Sequence, residues 1–340
     1  YLDNAATTPV RREVLEAMSP FLTSAYGNPS SHHTVGEQAA AALDDARRRV
    51  ARVLGVRPGD IVFTSGGTEA NNLAIKGIAL AALQNSGARH VITSPIEHES
   101  VLASVGYLRR LHGFEVTVLP VDADGVIDPG DVAGAARPDT AVVSIGLANN
   151  EIGTVQDAAA LADARGSARL HLDAVQAAGW VRLSGLGADA LTLAGHKLGA
   201  PKGIGVAMIR GRIPLEPVIH GGGQQRDRRS GTENVAGAVG FAVALELAEA
   251  EREEAAARVA AVRDAFVARV LREVPSARLT GHPQRRLPGT ASFTFAGVSG
   301  EAVLLELERR GVISSSGSAC SAGSDEASHV LTAIGVEHDL

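Results

Sequence analysis

The lysine of Gly195-His196-Lys197 follows an apolar run, residues 190–194, and heads a turn containing Gly199, Pro201, Gly203 and Gly205. An amine at the end of a buried strand is placed to condense with an aldehyde as a Schiff base. Only two other lysines occur: Lys76, in a helical pattern and expected to be a solvated surface residue, and Lys202, a weaker candidate in the same turn. Asp173 lies in His171-Leu172-Asp173-Ala174-Val175-Gln176, where strand alternation puts His171 and Asp173 on one face and Gln176 on the following turn. A partly buried aspartate needs a cationic partner, and a protonated pyridine nitrogen is one; the alternative is an aspartate capping a helix.

The segment Thr64-Ser65-Gly66-Gly67-Thr68-Glu69-Ala70-Asn71-Asn72 runs from a strand through glycines into a helix. Backbone N–H groups at such a helix start suit a phosphate, with Thr68 adding a hydroxyl, although a plain tight turn with a cap reads equally well. Its spacing matches neither the P-loop nor the dinucleotide fingerprint. Phosphate site, buried acid and strand-end lysine follow one another in the order that a pyridoxal-phosphate enzyme requires. Glu97-His98-Glu99-Ser100 could lay the His98 imidazole over a flat ring or cap a helix, and Asn149-Asn150-Glu151-Ile152-Gly153 could offer Asn150 to a ligand. Gly221-Gly222-Gly223-Gln224-Gln225-Arg226, leading to Arg229-Ser230-Gly231-Thr232, carries backbone, guanidinium and hydroxyl donors apt for anions. Cys320, in Ser314-Ser315-Ser316-Gly317-Ser318-Ala319-Cys320-Ser321, sits among small polar residues, where a thiol is exposed and reactive instead of a buried apolar filler.

These residues need a scaffold, and residues 60–210 supply its pattern. Short β-branched runs at 61–64, 90–93, 115–119, 141–147, 169–172, 190–194 and 205–209 alternate with alanine-rich amphipathic stretches such as 69–83, 100–111 and 157–165. That alternation predicts an α/β fold with a mainly parallel seven-stranded sheet covered by helices on both faces. Ligands of such sheets bind beyond the carboxyl ends of the strands, where the polar motifs fall. A long helical region over 232–273, a strand over 290–295, a helix over 300–310 and a strand over 312–314 predict a smaller α+β domain. The division expected is 13–250 for the large domain, with 1–12 and 251–340 forming the small one.

Composition excludes several classes. With 45% hydrophobic and 21% charged residues the chain is globular, not disordered. No apolar run is long enough for a membrane helix, and no signal-peptide pattern stands at the start. A net charge of −6 with interspersed signs gives no case for nucleic acid. One cysteine excludes an internal disulfide framework and points to a reducing, cytoplasmic setting. Both ends, Tyr1 and Leu340, read as incomplete.

Together the motifs, with Tyr1-Leu2-Asp3-Asn4-Ala5-Ala6-Thr7-Thr8 and Gly27-Asn28-Pro29-Ser30-Ser31, resemble the class V, fold-type I pyridoxal-phosphate enzymes over essentially the whole chain. Within them the run ending at Cys320 resembles the group I (NifS/IscS-like) cysteine desulfurases. The resemblance implies that Lys197 holds pyridoxal 5'-phosphate and moves the Cα proton, Asp173 pairs with the pyridine nitrogen, and His98 stacks on the ring and transfers protons. Gln176 would contact the ring oxygen and Asn150 would lie beside cofactor and substrate. Gly67, Thr68 and His196 would bind the phosphate, joined by Thr232 from the partner subunit of a homodimer. It further implies L-cysteine as substrate, L-alanine as product, and a Cys320 persulfide passed to an acceptor such as an iron–sulfur scaffold or a tRNA-thiolation enzyme. A selenocysteine lyase or a class V aminotransferase is the alternative. Two departures are expected to matter. Ala194 stands where the family carries a hydroxyl for the phosphate, with Thr192 as a possible substitute, and the family's carboxylate-binding arginine would lie beyond Leu340.

Overall fold

A computed structural model describes residues 1–316 and 328–336. Its centre is a seven-stranded sheet of β1 (Ile61–Thr64), β2 (His90–Thr93), β3 (Glu115–Val118), β4 (Thr140–Gly146), β5 (Arg169–Asp173), β6 (Ala190–Ala194) and β7 (Gly205–Ile209), in the order β1-β7-β6-β5-β4-β2-β3. All neighbours run parallel except β7, which is antiparallel to both β1 and β6. Strands β1, β2, β6 and β7 are buried at every residue, which is why they read as continuous apolar runs instead of alternating ones.

Helices cover both faces. One face packs against α1 (Arg12–Thr23), α2 (Thr34–Leu54), α5 (Pro129–Ala135), α6 (Ala158–Ala164) and the start of α7 (Val235–Glu273), through Val14, Leu43, Val50, Val132, Leu161 and Phe241. The other packs against α3 (Gly67–Ser86) and α4 (Glu99–His112), through Leu73, Ile78, Val105 and Leu108. Asn234 caps α7, its side chain accepting from the Gly237 amide at 2.8 Å. Where α7 crosses α1, Gly240 faces Met18, and a Cβ at Gly240 would lie 2.5 Å from the Met18 sulfur. The segment from Val235 to Leu245 is almost wholly buried, whereas the remainder of α7 contributes no buried residue.

Beyond this core, β8 (Ala277–Leu279) and β9 (Phe293–Phe295) form a two-stranded antiparallel sheet, with Phe293 edge-on to Phe266 of α7 at 6.0 Å. Helix α8 (Gly300–Arg309) follows as expected. The strand expected over 312–314 does not form: this stretch lies beside the amino-terminal segment with one backbone bond, Leu2 N–H to the Ile313 carbonyl at 2.8 Å, and no ladder. A short helix, α9 (His329–Ala333), packs onto the sheet's loops.

Candidate active site

A cavity of about 390 Å³ opens at the carboxyl ends of β2, β4, β5 and β6 and at the start of α3. It brings together Gly67, Thr68, His98, Asn150, Asp173, Gln176, His196 and Lys197, each singled out from sequence. Thr232 is exposed and is not among the lining residues.

The phosphate-type turn is held from two sides. Glu69 accepts from the Ser65 amide at 2.8 Å and takes a two-pronged pair from Arg229, at 2.8 and 3.2 Å. Burial alone would push the Glu69 carboxyl up, but the bonds from Arg229 and Ser65 outweigh it and hold the group below the usual range. Gly205 of β7 has no room for a side chain, since its Cβ would lie 2.6 Å from the Gly66 carbonyl carbon. The two arginines expected to serve anions bond within the fold: Arg229 pairs with Glu69 and Arg226 donates to the Ile61 carbonyl at 2.7 Å, while Arg228 between them donates to that of Ile209 at 3.0 Å.

The floor of the cavity is a buried relay. Asp173 accepts from the Val175 amide at 3.0 Å and from Asn71 Nδ2 at 2.7 Å. Asn71 Nδ2 also donates to Ser100 Oγ at 2.9 Å, and Asn71 Oδ1 accepts from the Thr192 hydroxyl at 2.5 Å. Thr192 lies 3.1 Å from His171 Nε2, whose other nitrogen is 2.8 Å from Ser144 Oγ. Donor and acceptor roles follow from the carboxylate, which can only accept. Thr192 gives its hydrogen to Asn71 and so receives one from His171 Nε2, leaving His171 Nδ1 to accept from Ser144. Burial pushes the His171 imidazole down to about 4, so it stays neutral. Thr192 is therefore committed to Asn71 and does not replace the hydroxyl missing at Ala194.

His98 heads α4, its Nδ1 accepting from the Ser100 amide at 3.0 Å with Ser100 Oγ at 2.8 Å. Because Ser100 Oγ receives Asn71 Nδ2, its own hydrogen goes to His98 Nδ1, and the imidazole proton rests on Nε2. The capping reading of His98 holds, and the residue also lines the cavity. Beside it Glu97 is buried, with Oε1 accepting from the Ser94 hydroxyl at 2.6 Å and Oε2 without a hydrogen bond among the described residues. Burial, reinforced by nearby Asp173, pushes the Glu97 carboxyl up to about 8.

The rim comes from the amino-terminal segment. Lys197 Nζ donates to the carbonyl oxygens of Ala5 and, at 2.8 Å, Ala6; Gln176 Nε2 also donates to the Ala5 carbonyl, at 3.0 Å. His196 Nδ1 lies 3.2 Å from the Thr7 hydroxyl, and burial, helped by Lys197 and Lys202, pushes its imidazole down to about 4. Asp3 accepts from the Ser315 hydroxyl at 2.6 Å. On the opposite side Ser328 donates to Glu151 Oε2 at 2.5 Å, and His329 Nε2 donates to the Glu97 carbonyl at 2.9 Å. Cys320 lies outside the described residues. Lys76 departs from expectation: it is half-buried, with its ammonium 4.2 Å from the centre of the Tyr107 ring.

Sequence reasoning missed the roles of Asn71 and Ser100, the bond from Thr192 to Asn71, and the depth at which Glu97 is buried. Only the position of Asn71, one helical turn after Gly67, signalled that it shares a face with the phosphate-type turn.

The chain belongs to the class V aminotransferase family, whose pattern it matches over residues 1–335. Within that family it groups with the cysteine desulfurases. It is 46% identical to cysteine desulfurase IscS of Dictyoglomus turgidum, across 100% of this chain and 86% of the relative. Its backbone is similar to that of a NifS-like protein (TM-score 0.91, 37% identity, 100% of this chain and 90% of the other). It is also similar to SspA solved in complex with cysteine (TM-score 0.86, 37% identity, 100% of this chain and 95% of the other).

Proposed function

We infer that this chain is a cysteine desulfurase, converting L-cysteine to L-alanine and leaving the sulfur as a persulfide on Cys320. The observation that carries the reading is the meeting of Lys197, Asp173, His98 and the Gly67-Thr68 turn around one cavity. These residues fit pyridoxal 5'-phosphate. The start of α3 offers backbone N–H groups to a phosphate, and Gly67 lets the turn pack against Val175, from which a Cβ there would lie only 2.9 Å. Asp173 offers a buried carboxylate to a ring N–H, and Lys197 offers an amine to an aldehyde. When bound, such a coenzyme supplies an electron sink for the substrate Cα.

Each residue then has a task. Lys197 takes the Cα proton and returns it; Asp173 holds the ring-nitrogen proton; neutral His196 gives an N–H to the phosphate. His98, with its proton on Nε2, is set to donate first. The Cys320 thiolate forms an S–S bond to the substrate sulfur as the C–S bond breaks, its electron pair leaving with carbon, so cysteine and thiol become alanine and persulfide. Asn150 lines the substrate side, and Gln176 is freed for the ring oxygen once it leaves Ala5. Exposed Thr232 serves the phosphate of a second subunit, which makes the working unit a homodimer. We assign residues 13–250 to the coenzyme domain and 1–12 with 251–340 to the domain carrying Cys320. The persulfide is passed on to an iron–sulfur scaffold or a thiolation enzyme in the cytoplasm, where a lone cysteine stays reduced.

Incubation with L-cysteine under reducing conditions tests this. Alanine and Cys320 persulfide should form together, and Cys320→Ser should keep the coenzyme's colour while losing sulfur transfer. Undiminished turnover in Cys320→Ser would replace the reading by another class V activity, a selenocysteine lyase or an aminotransferase, since transamination needs no protein thiol.

A further inference from the structure

We propose that Asn71 is a positioning residue that sets, with one amide group, both the acid that would meet the coenzyme's ring nitrogen and the histidine that would lie over the ring. The proposal rests on the coenzyme reading of Lys197 and Asp173. Asn71 is 1% exposed and sits one turn into α3. Its two N–H groups go to Asp173 Oδ2 at 2.7 Å and Ser100 Oγ at 2.9 Å, and Ser100 passes the constraint to His98 Nδ1 at 2.8 Å.

Chemistry selects an amide here. The position needs two donors, one for a carboxylate and one for a hydroxyl, and an acceptor for Thr192; asparagine supplies all three in a short planar group. The orientation of that group is fixed from behind, because Thr192 donates to Oδ1 at 2.5 Å and thereby keeps Nδ2 turned towards Asp173. Thr192 is itself fixed by neutral His171, which Ser144 holds in turn. The helix that starts at the phosphate-type turn thus also aligns the groups at the far edge of the ring and over its face.

Two variants test this by a route that activity alone would not give. Asn71→Ala removes the whole amide, and Thr192→Val removes only the hydroxyl that orients it, at nearly constant shape. The readout is the pH at which the absorbance of bound pyridoxal 5'-phosphate changes, recorded with kcat, KM and Tm. With Asp173 held less firmly the ring is less cationic, so the midpoint should rise by about one pH unit in Asn71→Ala and by less in Thr192→Val. The value of kcat should fall on the order of 10-fold to 100-fold with KM for cysteine within about twofold. An unchanged midpoint in both coloured variants overturns the positioning role, as does a fall in Tm with no spectral shift in Thr192→Val. A wild-type protein that binds no coenzyme would instead overturn the functional reading itself, so the two failures are distinguishable.

Discussion

On the floor of the cavity Asp173, Asn71, Thr192 and His171 are each less than a tenth exposed and joined side chain to side chain. On the rim Tyr1 and Leu2 are 55% and 70% exposed, and the amino-terminal segment is held largely through backbone carbonyls: Ala5 and Ala6 to Lys197, Ala5 to Gln176, and Ile313 to Leu2. A floor of this kind has one low-energy arrangement, because every buried polar group left unpaired costs about 1–3 kcal/mol. The rim can exchange partners at low cost, since a carbonyl released by Lys197 turns to water. The difference matches the labour proposed for each: a coenzyme needs a fixed bed, while Lys197 must let go of Ala5 and Ala6 whenever its amine works.

The sharpest break of this comparison is Asp173→Asn. It keeps shape but removes the charge on the floor, and kcat for alanine formation should fall about 100-fold or more, with phosphate-dependent retention of the coenzyme surviving. A small effect would mean that the floor is not organised around an anion.

Glu97→Gln probes the same bed through stability. In the fold the Glu97 carboxyl titrates near 8 instead of 4.5, so the native state holds a proton that the unfolded chain releases. The stability this group contributes is full at low pH and is lost as pH rises from about 4.5 to about 8. Glutamine does not titrate, so the variant's Tm relative to wild type should improve steadily between about pH 5 and about pH 8. A gap that is flat or narrows over that range contradicts the burial argument.

The smallest effect is expected at the rim. Ser315→Ala deletes the exposed bond to Asp3 and should change unfolding free energy by no more than about 0.5 kcal/mol by urea titration. A loss several times larger would show the rim to be as tightly built as the floor.

Much of this was legible in the chain itself. All seven sheet strands stood out because both faces of most of them are buried, and Lys197, Asp173, His98 and the Gly67-Thr68 turn fell at strand ends where the fold converges. What was not legible depends on contacts distant in sequence. Asn71 meets Asp173 across 102 residues and Thr192 across 121, separations that no local periodicity encodes. The role expected for Thr192 failed for the same reason: alternation gives the face of a strand, not which of two neighbours claims the hydroxyl. The segment 312–314 looked like a strand because Val312 and Ile313 are β-branched, yet a strand needs a partner edge, and the amino-terminal segment gives one bond. The arginines after Gly221 could not be sorted into anion binders or struts until Glu69 and the carbonyls of Ile61 and Ile209 were beside them.

The 39 residues of α7 make a rod about 58 Å long, clamped in the core over its first quarter and carrying β8 and β9 farther out. With the Gly240–Met18 crossing as its fulcrum, a tilt of about 5° at the root displaces the outer tip by several ångströms, roughly 4–5 Å. Crowding at that one crossing, for instance by a methyl group on Gly240, would therefore be magnified into a shift of the outer sheet large enough to register in small-angle scattering.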